Sequence, residues 1–304
     1  MKLKNRSFIG VILAFVAGAL WGHSGLFVRI LSEEKNVGSV EISTMRVILT
    51  FLMMLIWVLI VDRQAIRIEK KHILYFVGSG LFGMFGCSML YFLSITMCSL
   101  ALSAILMYTA PIFVVIISVF VFKQKLTFKK AICCVFAIFG AAMVSGIFAG
   151  VDNVSVLGII FGAGSGLSYA LYSVFSSLAV TKGAKPYSVT LYSFFFAMLG
   201  VLCCCNMNAL VGHIKADYTV LLIALFQAFL SCLMPYILYT LSMKYIDAST
   251  ASIVSIIEIV VSTVVGALKF GETLSYIQVS GVAVVVVAII ILNSKLFEKK
   301  KLPD

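Results

Sequence analysis

Stretches of about twenty apolar residues recur along this chain with little between them, and that spacing restricts the solvent in which it can fold. Ten such runs can be counted, at 8–31, 41–61, 73–96, 99–122, 129–149, 155–181, 187–207, 218–243, 247–269 and 276–294. Each is long enough for a helix to cross hydrocarbon, where a chain must satisfy its own backbone hydrogen bonds. Hydrophobic residues make up 62% of the chain and charged residues 12%. A water-soluble domain uses roughly 25% charged residues. The predicted class is an all-α integral membrane protein with ten transmembrane helices. The first run follows a basic start, Lys2, Lys4 and Arg6, but exceeds the length of a signal-peptide core. It is expected to remain as the first span.

The net charge of +11 is explained by topology, because the basic residues cluster between the apolar runs. With a cytoplasmic N-terminus, the segments on that side hold eighteen Lys and Arg, among them Lys70, Lys71, Lys129, Lys130, Lys299, Lys300 and Lys301. The segments on the other side hold three, Lys35, Lys215 and Lys269. The bias predicts a multi-pass protein of the cytoplasmic membrane with both termini inside. It removes the reason to invoke nucleic acid.

The chain also repeats itself. An offset of 148 carries Leu90-Tyr91-Phe92-Leu93-Ser94 onto Leu238-Tyr239-Thr240-Leu241-Ser242, Gly10 onto Gly158, Gly18 onto Gly166 and Trp21 onto Tyr169. The unit holds five spans, an odd number, so the second copy enters the membrane from the opposite side. The expected architecture is two inverted five-helix repeats, residues 1–150 and 151–304. Inverted repeats are the frame of many alternating-access transporters.

Polar residues mark the faces that need not touch lipid. Ser165, Tyr169, Tyr172 and Ser176 share one face of the sixth run. Gln227, Ser231, Pro235, Tyr239 and Ser242 do so in the eighth, and Cys87, Ser88, Tyr91, Ser94 and Cys98 in the third. Ser252, Ser255, Glu258 and Ser262 fall on one arc of the ninth. Small hydroxyl residues also suit helix packing in lipid. The large tyrosines Tyr91, Tyr169, Tyr172 and Tyr239 are expected to line a central cavity, together with Trp21, Ser24, Tyr108 and Ser255.

Glu258 and Arg46 are ionisable groups inside spans, where charge is costly and usually functional. Glu258 is open to a structural role or to a substrate- or proton-linked one. Arg46 is open to a structural ion pair, interface snorkelling or substrate contact. On an ideal helix His23 points away from Trp21, so it is expected to pack against a neighbour. Pro111 and Pro235 are expected to break backbone hydrogen bonding and serve as kinks or gates.

The eight cysteines lie within the apolar runs, without zinc-type spacing, and are expected to pack as small apolar residues. No catalytic constellation, nucleotide-binding loop, metal signature or cofactor motif is present. Transport energy is therefore expected from a gradient or from exchange.

These segments resemble the drug/metabolite transporter superfamily, specifically its EamA-type ten-span members. The first unit carries Leu20-Trp21-Gly22, Arg46 and Tyr108-Thr109-Ala110-Pro111-Ile112-Phe113. The second carries Ala248-Ser249-Thr250-Ala251-Ser252, Ile257-Glu258 and Gly271-Glu272-Thr273-Leu274. The chain has Glu258-Ile259 where the family reads Glu-Pro, and Lys123-Gln124-Lys125 where the first unit usually reads Gly-Glu. The resemblance implies a cavity between the halves that opens alternately to each side. It implies export of amino acids, metabolites or drug-like amphipathic compounds, with protons as a candidate coupling ion. An uptake permease of the same fold and a non-transporting receptor or assembly protein stand as alternatives. The expected partners are the bilayer and a small-molecule substrate, with a monomer or weak dimer as the assembly.

Overall fold

The computed structural model describes residues 2–124, 126–147, 155–271 and 273–293, with side chains from residue 6 onward. Lys125, Glu272 and the basic C-terminal tail lie outside the described residues. Helices occupy all ten apolar runs: α1 (Arg6–Glu34), α2 (Ser39–Val61), α3 (Lys70–Met97), α4 (Leu100–Val121), α5 (Phe128–Val144), α6 (Val156–Thr181), α7 (Pro186–Leu202), α8 (Tyr218–Ser242), α9 (Ala248–Phe270) and α10 (Tyr276–Asn293).

Eight of these are long and apolar enough to cross a membrane on their own, and α7 with a short helix Met207–Ala216, bent 100° from it, makes a ninth candidate. α5 spans 17 residues and falls short of full length. The expected ten spans are thus ten helical segments, of which eight pass as independent spans. The seventh run is also shorter than expected. α7 stops at Leu202, and Cys203 and Cys204 are exposed in the turn that follows, not packed inside a helix. Ile60, Phe120 and Leu268 are among the most exposed side chains. An apolar exterior of this kind suits lipid.

The helices pair as the repeat requires. α1 packs on α8 and α9, and α6 packs on α3 and α4. α2 lies against α8, and α7 against α3. The remaining contacts, α2 with α7, α4 with α9 and α5 with α10, join helices that the offset exchanges. The bundle therefore has a pseudo-two-fold axis through these three pairs.

Glycine contacts place this symmetry at residue level. A Cβ at Gly10 would meet Tyr245 and Ile246, and one at Gly158 would meet Met97 and Cys98, the same positions shifted by 148. A Cβ at Gly18 would lie 2.6 Å from the Ser255 carbonyl, and one at Gly166 2.7 Å from the Leu106 carbonyl. These α1–α9 and α6–α4 approaches admit no side chain. Lipid tails offer no hydrophobic drive between helices, so such close backbone packing carries much of the association.

The irregular backbone repeats as well. α3 has a π-helical stretch at Gly78–Phe85, and α8 has one at the corresponding Phe229–Leu233, just before Pro235. α4 is capped by Ser99 and α9 by Asp247, again equivalent positions. Asp247 also holds the Lys130 ammonium at 2.8 Å. Burial pushes its carboxyl up, but Lys130 and the Thr250 amide outweigh this and leave it below the usual carboxylate range.

Two outcomes follow from this packing. Replacing Gly18 or Gly166 with leucine should destabilise the bundle by about 1–3 kcal/mol each through overpacking. Gly212→Ala, at an exposed helix position where nothing lies within 4 Å, should instead raise stability by about 0.5–1 kcal/mol; thermal unfolding of detergent-purified protein measures all three. Asp247→Ala should cost about 0.5–2 kcal/mol as a lost helix cap. Because the folded carboxyl titrates low, that difference should be full above the unfolded carboxylate value near about pH 4 and shrink as pH falls below it. Melting curves of both proteins across that window check the sign.

Candidate functional site

The axis passes through the place where two helices are broken. The first half of α4 ends at Met107, the chain turns at Tyr108-Thr109, and helix resumes at Ala110 with Pro111 in its first turn. α9 stops at Ser255 and resumes at Ile257. Tyr108 and Ile256, the two break residues, are equivalent under the repeat offset. Neither Thr109 nor Ile256 caps the restarted helix with its side chain. The Ile112 amide closes onto the Thr109 carbonyl and the Ile259 amide onto the Ile256 carbonyl, so each restart begins with a tight turn.

A cavity of about 10 Å³ sits at this crossing, lined by Tyr108, Pro111, Tyr169, Ser252, Ser255, Ile256 and Glu258. That is room for about one water molecule. The Ser252 hydroxyl is buried here without a hydrogen-bond partner in the structure.

Glu258 occupies the first turn of the restarted α9 and is half-buried. Tyr91, Tyr108 and Tyr169 lie within electrostatic reach of its carboxylate. So does Arg46. Among the described residues, no ion pair within 4.0 Å joins Arg46 or Glu258 to an opposite charge. Arg46 instead donates from Nη2 to Ser88 Oγ at 3.3 Å and has Cys87, Cys232 and Tyr236 as electrostatic neighbours. Ser88 and Tyr236 are equivalent under the offset, so the guanidinium is flanked by the same position of both repeats.

Trp21 ends the first half of α1, which also breaks, at Gly22-His23. The Trp21 ring contacts Tyr169, Tyr236 and Tyr239 at centroid distances of 6.1, 5.1 and 5.1 Å. A Cβ at Gly22 would lie 2.7 Å from the Glu258 carbonyl, which ties this break to the α9 break. Because of the break, ideal-helix geometry does not apply between Trp21 and His23. His23 Nδ1 lies 3.0 Å from the Ala19 carbonyl of its own helix.

Three tyrosines expected at the cavity do not line it: Tyr91 lies to one side, and Tyr172 and Tyr239 to the other. Tyr172 and Tyr239 are fully buried, with rings stacked at 6.1 Å. The Tyr172 hydroxyl meets Thr240 Oγ1 at 3.2 Å and the Tyr239 hydroxyl meets Ser173 at 2.9 Å. They form a seam between α6 and α8, on the side of the cavity where both helices end. On the other side Ser24, Arg46, Cys87, Ser88 and Tyr91 all keep partial accessibility. Pro111 marks the α4 restart and Pro235 follows the π-helical stretch of α8, so each proline lies at a real irregularity.

The sequence pattern missed Tyr236. Its ring packs on Trp21, on Tyr172 at 5.2 Å and on Phe194 at 5.0 Å. The stripe from Gln227 to Ser242 was drawn through Pro235 and Tyr239, whereas Tyr236 lies three residues before Tyr239 in the same regular helix, Met234–Ser242, and so shares its side. The repeat offset, which pairs it with Ser88 of the α3 stripe, is the signal that marks it.

Comparison with known proteins bears on what this crossing belongs to. The sequence profile described as "EamA-like transporter family" matches residues 8–146 and again residues 156–294. The chain belongs to the EamA-like transporter family. An uncharacterised transporter of Archaeoglobus fulgidus is 29% identical over 201 residues, covering 66% of this chain and 70% of the relative. An uncharacterised transporter of Synechocystis sp. is 23% identical, covering 96% of this chain and 95% of the relative. A crystal structure with 17% identity superposes with a TM-score of 0.75 over 93% of this chain and 95% of the other, and so shares the fold. This EamA-like chain is thus a multi-pass membrane protein of the drug/metabolite transporter superfamily. No proline follows Glu258, where Ile259 stands, yet α9 still breaks at Ile256.

Ser252 separates packing from binding. Ser252→Ala removes an unpaired buried hydroxyl, so thermal stability should hold or rise by up to about 1 kcal/mol. If the hydroxyl serves a bound molecule, transport measured in proteoliposomes should fall in the same variant.

Proposed function

We propose that the chain is a secondary active transporter that moves small metabolites, amino acids or drug-like amphipathic compounds by alternating access. The observation that carries this is the meeting of two broken helices on the pseudo-two-fold axis, beside a carboxylate and a guanidinium that interact across space without a direct ion pair. Broken helices at mid-bundle are where inverted-repeat transporters hold cargo, since irregular backbone survives there only if protein or ligand satisfies it.

Tyr108, Tyr169, Ser252, Ser255 and Glu258 form the inner wall of the proposed site, and Arg46, Tyr91, Ser24 and Trp21 its approach. The Tyr172–Thr240 and Ser173–Tyr239 seam closes one end, and its separation opens that end. Glu258 takes up and releases the coupling proton, or pairs with a cationic group of the cargo. The two halves, 1–150 and 151–304, rock about the α4–α9 crossing. In this reading both termini lie on the cytoplasmic side of the cell membrane, which the basic bias of the connectors supports, and the direction of transport is export. Uptake through the same site is the alternative direction.

Purified protein in proteoliposomes tests this. An imposed pH gradient should drive accumulation of a cargo found by screening metabolites against the protein's thermal stability. Glu258→Gln should reduce gradient-driven accumulation to the level of protein-free vesicles. Normal accumulation by Glu258→Gln would refute proton coupling through this residue. Cysteines introduced at positions 91 and 239 should react with an impermeant thiol reagent from opposite sides. Reaction from one side only would favour a receptor.

A further inference from the structure

A second cavity lies far from the crossing, at the end of the bundle where α1 begins and α6 and α8 finish. It measures about 560 Å³ and is lined by Arg6, Val180, Thr181, Met243, Lys244 and Tyr245. Two of its six lining residues carry positive charge, and none carries negative charge. Among the described residues, neither Arg6 nor Lys244 makes an ion pair. The other interhelical lysines behave differently: Lys35, Lys130 and Lys185 each hold an aspartate within 2.8–2.9 Å.

The site is held by packing that does not involve its charges. Gly10 lies one turn after Arg6, and a Cβ there would touch Tyr245 Cβ at 2.8 Å. The α1–α8 contact thus sets Arg6 opposite Lys244 and Tyr245. The equivalent contact in the other repeat is Gly158 against Met97 and Cys98, where the counterpart of Lys244 is Thr96. The pseudo-symmetry repeats the packing at the opposite end of the bundle and omits the lysine. The α1–α8 packing itself therefore does not require the lysine.

We propose that this cavity binds a phosphoryl group, with Arg6 and Lys244 as its two cationic contacts and the Tyr245 hydroxyl as a donor. A phosphoryl group takes bidentate hydrogen bonds from a guanidinium and a point charge from an ammonium. A basic cavity between helix ends is open both to lipid headgroups and to soluble phosphates, and both offer this chemistry. The site is separate from the α4–α9 crossing and does not depend on the cargo carried there.

The test uses full-length protein in detergent. Short-chain phosphatidylglycerol, short-chain phosphatidylcholine and inorganic phosphate are titrated separately at matched ionic strength, with thermal unfolding and native mass spectrometry as readouts. Phosphatidylglycerol or inorganic phosphate should stabilise the wild type. Arg6→Gln and Lys244→Gln should each weaken that binding about fivefold, from roughly 1 kcal/mol per basic contact. Arg6→Lys with Lys244→Arg should retain it. Lys182→Gln, outside the cavity, should leave it unchanged. An effect of phosphatidylglycerol alone identifies a lipid headgroup, and an equal effect of inorganic phosphate identifies a soluble phosphoryl ligand. Equal affinity in the wild type and both glutamine variants, or no binding of either anion, overturns the proposal.

Discussion

In hydrocarbon a broken helix must be covered by protein, because no water is present to take its free backbone groups. Here the cover is supplied by glycine. Gly18 and Gly22 of α1 sit directly on the α9 break, and Gly166 of α6 sits on the α4 break. The absence of side chains brings these backbones within contact of the Ser255, Glu258 and Leu106 carbonyls. The crossing of α4 and α9, the placement of Trp21 and Tyr169 beside it, and the small cavity between them all depend on those approaches.

The two repeats share this frame but differ in chemistry. The offset that relates Tyr108 to Ile256 also relates Glu258 to Ala110 and Arg46 to Phe194. Each ionisable group therefore appears once while the backbone that positions it appears twice. The symmetry supplies two related packings, and the asymmetry supplies one carboxylate and one guanidinium near the axis. The same relation holds at the bundle's end, where Lys244 has Thr96 as its counterpart.

Much of the candidate site was legible from residue types. Glu258 and Arg46 stood out because charge inside an apolar run is costly. Tyr108, Pro111, Tyr169 and Ser255 were named from polar spacing and family resemblance, and they converge at the crossing. Tyr172 and Tyr239 share the spacing of Tyr169 but turn into the α6–α8 seam, because one stripe is wide enough to touch two neighbours. Tyr236 falls just off the line counted through Pro235 and Tyr239, although the repeat offset pairs it with Ser88. The α9 break was hidden too, since no proline marks it.

Apolar run length, basic-residue bias and the 148-residue offset settled the solvent, the helical class and the two-repeat plan from sequence alone. Each depends only on local composition or on self-similarity, which a linear string records in full. Which helices break, which tyrosines face the axis and which cations stay unpaired were decided by tertiary structure. Those outcomes arise where a residue of one repeat meets a residue of the other, and composition carries no record of that distance.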